Sequence, residues 1–121
     1  ALEFNQRSPS GGIATHESKL KKDPAGVKAM VRATFEAMDF NRREKTWMVN
    51  YIQKKWNLAP KIAEQSYRVW LNGFTSDGKI PLKDLQDIYD EALAAKLIPS
   101  AVPVAKVMDY TWVEEVLKER K

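Results

Sequence analysis

Three prolines divide this chain before any other feature does. Proline lacks an N–H and fixes φ near −65°, so it breaks a helix interior but costs nothing in the first turn. Asp23-Pro24, Ala59-Pro60 and Ile80-Pro81 therefore read as three helix starts. At the first, the Asp23 carboxylate can accept from the free amides of the opening turn. Val27, Met30, Val31, Thr34, Phe35 and Met38 then share one face of a helix expected from about Pro24 to Arg42. A second helix, from about Glu44 to Trp56, turns Trp47, Met48, Tyr51, Ile52 and Trp56 inward and closes at Asn57. The third, opened by Pro60, presents Ile62, Ala63, Ser66, Val69 and Trp70 and ends at Asn72-Gly73. Pro81 opens a fourth with Leu82, Leu85, Ile88, Tyr89, Ala92 and Leu93 on one side, expected to stop before Pro99.

The intervening pieces are short. Asn5 to Gly12 reads NQRSPSGG, a polar linker or crossing segment, and Gly12 to His16 reads as a single short strand in need of a partner. Ser76-Asp77-Gly78 makes a turn, and Pro99 to Asp109 suits an extended stretch. Thr111 and Glu114 have the spacing of a capping box for a last helix that ends in basic residues. The expected fold is mainly α, an irregular antiparallel array of about five helices with one short N-terminal strand. At 121 residues it has material for one modest core.

Charge and composition remove several chemistries. Twenty Lys and Arg against sixteen Asp and Glu leave +4, and the two signs look interleaved, which argues for solubility and hardly for nucleic acid. The densest basic stretches, Lys19-Leu-Lys-Lys22 and Lys118-Glu-Arg-Lys121, read as solvated faces. No cysteine is present, so disulfides, thiolate metal sites and thiol nucleophiles are excluded within this sequence. His16, the single histidine, stands between Thr15 and Glu17 and reads as a surface or hinge residue rather than a catalytic base. No apolar run approaches the roughly 20 residues of a membrane span.

Asp77-Gly78-Lys79-Ile80 has the centre of an EF-hand loop, but with Gly78 at the sixth position the first falls on Gly73, which has no ligand oxygen, and the twelfth on Asp84. An ordinary turn fits better. Trp47, Trp56, Trp70 and Trp112 could line a ligand cage, yet their helical spacing among aliphatic neighbours assigns them to the core. The residues by themselves require no catalytic group, metal or cofactor.

The order of these features resembles a known family. Ser10-Gly-Gly-Ile-Ala-Thr-His16, Lys21-Lys-Asp-Pro24 and Arg32-Ala-Thr34 are similar to the return strand and following helix of ABC-transporter substrate-binding proteins of the nitrate, sulfonate, taurine and thiamine-precursor type. The likeness continues through Ala63-x-x-x-Tyr67, Phe74-x-x-Asp-Gly-x-Ile80, Leu85-Gln86, Ala95-Lys-Leu-Ile98, Pro103-Val104 and Val107-Met-Asp-Tyr-Thr-Trp-Val-Glu114, spanning roughly Gly11 to Lys118. Ala59 departs from the pattern, standing where the family has an Asp cap.

The resemblance implies the C-terminal part of a two-domain α/β periplasmic-binding (type II) fold. Residues 1–12 would then be a hinge or crossing segment, and 13–121 the helical end of the first domain. It implies a non-enzymatic protein that captures a small molecule for uptake and works with an ABC-transporter membrane permease, without nucleic acid. The location would be periplasmic or extracellular, membrane-associated in Gram-positive relatives, with a signal peptide outside this sequence. Ser8, Ser10, Gly11 and Gly12 would form the hinge or contact ligand, most of whose contacts would come from preceding residues. Alone, the chain would be prone to self-association. Two other readings are an autonomous all-α protein-interaction module and, through His16, an enzyme making a thiamine pyrimidine.

Overall fold

The computed structural model describes residues 11–120. They form six α-helices, α1 (Glu17–Lys22), α2 (Pro24–Arg43), α3 (Lys45–Trp56), α4 (Pro60–Asn72), α5 (Leu82–Ala94) and α6 (Thr111–Glu119), with a 3₁₀ turn at Val104–Lys106. The mainly α expectation holds. Among the described residues there is no strand, which corrects the one expected at Gly12 to His16. A lone strand leaves its backbone groups unpaired. Here His16 is extended and serves another purpose: its Nδ1 accepts the Ser18 N–H at 3.1 Å and so caps α1.

One residue serves two helix ends. The Asp23 N–H donates to the Lys19 carbonyl at 2.9 Å, closing α1, and its carboxylate accepts the Gly26 N–H at 2.8 Å, opening α2. Gly26 permits this, because a Cβ there would lie 2.2 Å from an Asp23 oxygen. Pro60 sits at the first position of α4, and Ala59 is its uncapped N-cap. Asn57 adopts the left-handed conformation (φ 49°) as α3 ends, with the Leu58 N–H on the Gln53 carbonyl at 3.0 Å.

α5 stops before Pro99 as expected, at Ala94, where Lys96 turns left-handed (φ 58°). The Lys96 N–H then bonds the Leu93 carbonyl and the Leu97 N–H bonds that of Ala92, a Schellman closure with lysine where glycine is usual. The Thr111/Glu114 capping box does not form. Thr111 is already inside the helix, so its hydroxyl cannot cap; Asp109 Oδ1 accepts the Thr111 N–H at 2.8 Å, and Glu114 pairs with Lys79.

α3 and α4 pack together around Met48, Ile52, Ala63 and Tyr67, flanked by Val49, Leu58 and Leu71. The Tyr67 hydroxyl donates to the Asn41 carbonyl at 2.8 Å, tying this pair to the end of α2. α6 packs on α2, where Phe35 and Val116 are buried and Lys28 pairs with Glu115 and Glu119. The turn before α5 presses against Phe35. Gly78 is left-handed (φ 68°), and a Cβ there would stand 2.9 Å from the Phe35 ring. Side chains tie the remaining loop: Tyr110 bonds both the N–H and the carbonyl of Ile80, and Gln86 bonds the Val102 carbonyl and the Val104 N–H. The stretch expected to be extended thus contains the 3₁₀ turn, with Val104 buried.

Ala59→Asp should stabilise the chain by about 1 kcal/mol by capping α4; an unchanged urea midpoint would show that the amides at that end have other partners. A pH dependence follows from Asp23, whose carboxyl is held below its ordinary 3.8 by the Lys19 ammonium and the Gly26 N–H. The unfolded chain binds that proton more tightly, so the stabilisation is present above pH 3.8 and lost as pH falls through the lower folded value. Asp23→Asn should flatten this part of the acid-unfolding curve while leaving the cap in place. Equal acid sensitivity in the two proteins would refute the assignment.

Candidate functional site

α3 makes its largest packing contact with α4, so it can bury only a narrow stripe. Met48 and Ile52, one turn apart, take that stripe. Trp47 and Tyr51 sit about 100° around the helix and face outward. Trp47 is 52% exposed, Trp56 57%, Tyr51 40% and Phe40, near the end of α2, 37%. This corrects the expectation that Trp47, Tyr51 and Trp56 belong to the core. Trp70, at the end of α4, also keeps part of its ring exposed, packed edge-on against Phe74 at 4.5 Å.

The exposed rings are organised. Phe40 meets Trp47 edge-on at 5.3 Å, Trp47 stacks on Tyr51 at 5.4 Å with planes 4° apart, and Tyr51 meets Trp56 edge-on at 6.3 Å. The Lys55 ammonium lies 5.4 Å from the Tyr51 ring centre and 5.8 Å from that of Trp56, and it donates to the Tyr51 hydroxyl at 3.0 Å. That hydroxyl holds the Lys55 pKa above its usual value. Trp47, Tyr51, Lys54 and Lys55 follow the i, i+4, i+7, i+8 spacing of one helix face.

The charge on this region is not interleaved, contrary to the sequence expectation. Arg42, Arg43, Lys45, Lys54 and Lys55 stand against Glu44 alone, five positive and one negative, so residues 42–55 carry a charge equal to the whole +4 of the chain. In space Arg43 pairs with Glu44 and Arg42 with Asp39 at 3.9 Å. Lys45 pairs with Glu64, whose pKa it lowers together with Arg68. Lys54 and Lys55 make no carboxylate pair among the described residues. What results is an exposed ridge of four rings with Lys54 and Lys55 beside it. Such a surface can stack, make cation–π contacts and attract anions.

Ser8 and Ser10 lie outside the described residues. Gly11 and Gly12 are exposed, and a Cβ at either would meet nothing within 4 Å. His16 is engaged as a helix cap. Asp77 accepts the Lys79 N–H at 3.0 Å in an ordinary turn, and the described residues hold no metal-ligating cluster. A shallow depression of about 140 Å³ between Met38, Arg42, Trp70, Leu71 and Phe74 is far below the roughly 300–1,000 Å³ typical of ligand sites. Among the described residues no helix is long and apolar enough to cross a membrane.

Phe40, Tyr51, Lys54 and Lys55 were missed as surface residues. The signal for them is the absence of any acid between Glu44 and Glu64. No family model, curated protein or solved structure matches the chain.

If the ridge carries no structural load, Trp47→Ala and Trp56→Ala should each cost under about 1 kcal/mol, whereas Met48→Ala costs about 2–5. Thermal unfolding of the three variants checks this. A Trp47→Ala loss equal to that of Met48→Ala would return the ring to the core.

Proposed function

We propose that this chain is the C-terminal helical part of an ABC-transporter solute-binding protein, a non-catalytic subunit that captures a small molecule for a membrane permease outside the cytoplasm. The observation that carries the reading is the ordered series of motifs in the sequence. Several of those motif residues are the ones that hold the described helices together. Ala63 and Tyr67 form the α3–α4 core, Gly78 accommodates Phe35, Gln86 holds the segment around Val104, and Asp109 starts α6. Such residues would persist as scaffold whatever compound is bound.

Extensive exposed apolar surface also supports a part that belongs to something larger. Ile62 and Val69 of α4 and Leu82 of α5 are exposed, and α5 buries no residue fully. Aliphatic faces of this kind fit the remainder of an α/β domain, or a second copy when that remainder is missing.

A second reading, an autonomous helical module that binds a partner protein, is favoured by the exposed rings of α3. The gene separates the two. The transport reading requires an open reading frame that continues upstream through two α/β domains, and its full-length product should show ligand-dependent thermal shifts with members of a panel of nitrate, sulfonates, taurine and pyrimidines. A frame that starts at this helical stretch would sink it.

A further inference from the structure

We propose that the ridge formed by Phe40, Trp47, Tyr51 and Trp56 with Lys54 and Lys55 docks the protein reversibly onto an anionic lipid surface. This inference does not depend on the transport reading. It starts from the contrast between this face and the exposed aliphatic positions of α4 and α5. Ile62, Val69 and Leu82 suit burial against protein. The α3 ridge is aromatic, carries Lys54 and Lys55 without a carboxylate partner among the described residues, and has no acid along the helix itself.

Charge decides among the occupants. A second copy seated on the ridge by two-fold symmetry would bring the same acid-free helix and offer Lys54 and Lys55 no carboxylate from it. Charge complementarity therefore favours an anionic partner. The packing of the rings favours a bilayer over an acidic protein. Protein hot spots of Trp and Tyr are matched by pockets in a rigid partner, and the ridge is a run of partly exposed rings packed on one another, with Trp47 and Tyr51 parallel. A fluid interface conforms to such a ridge without a complementary groove.

The ring types fit as well. Trp and Tyr concentrate at the level of lipid headgroups, where their apolar bodies and polar tips are both satisfied. Lys54 and Lys55 can extend their apolar stems along the rings while their ammonium groups reach phosphates. The helix is only 12 residues long, so it would lie in the interface plane and would not span the membrane.

Cosedimentation of the 121-residue chain with vesicles tests this. Binding is expected to phosphatidylcholine vesicles containing roughly one-third phosphatidylglycerol and not to phosphatidylcholine alone. Lys54→Glu with Lys55→Glu should weaken it by at least about tenfold, as should high salt. Trp47→Ala with Trp56→Ala should weaken it at unchanged charge, and circular dichroism would verify that each variant keeps its helices. No binding to anionic vesicles overturns the proposal. Binding indifferent to both double variants does the same, because it places the contact elsewhere on the chain. Failure on vesicles together with a salt-sensitive complex with an acidic protein that both double variants abolish would give the ridge to a protein partner. Either result leaves the transport reading to be decided by the gene and the ligand panel.

Discussion

The Tyr67 hydroxyl holds the architecture at its least forgiving point. The last carbonyls of a helix have no partner within it, and at the corner between α2 and α3 two of them find one outside α2. The Glu44 N–H takes the Phe40 carbonyl, and Tyr67, almost wholly buried, takes that of Asn41. One side chain thus fills the core and satisfies a backbone group that water cannot reach easily. The corner it fixes sets where α3 leaves α2, and so which residues of α3 meet α4. The outward position of the ridge is a consequence of that angle.

Local chemistry made much of this legible. Proline and asparagine act through their own backbone preferences, and Asp23-Pro24, Pro60 and Asn57 mark helix ends where they were expected to. The misreadings have a different origin. Thr111 has the right spacing for a capping box, but Asp109, two residues earlier, wins the competition for the opening amides. The strand at Gly12 to His16 needed a neighbouring sheet to pair with, and the described residues contain none.

The tryptophans show a limit of periodicity itself. A helical pattern identifies residues that share a face but not how much neighbouring structure there is to cover it. α3 has one close partner and an apolar arc wider than that partner, so the smaller side chains Met48 and Ile52 are buried while the rings remain outside. For the hinge and ligand readings the sequence pointed to Ser8, Ser10, Gly11 and Gly12. Ser8 and Ser10 lie outside the described residues, and Gly11 and Gly12 are exposed.

Gln86 has a consequence for motion. Its amide holds the Val102 carbonyl and the Val104 N–H as a neighbouring strand would, and so fastens the loop to α5 rather than to the core. α5 itself buries no residue fully. The helix and its loop therefore form a unit bound more tightly internally than to the rest, the arrangement in which a segment opens cooperatively at a fraction of the global unfolding free energy. Amide protons of α5 would exchange together and ahead of those in α3 and α4, making this segment the one most readily remodelled by whatever packs against it.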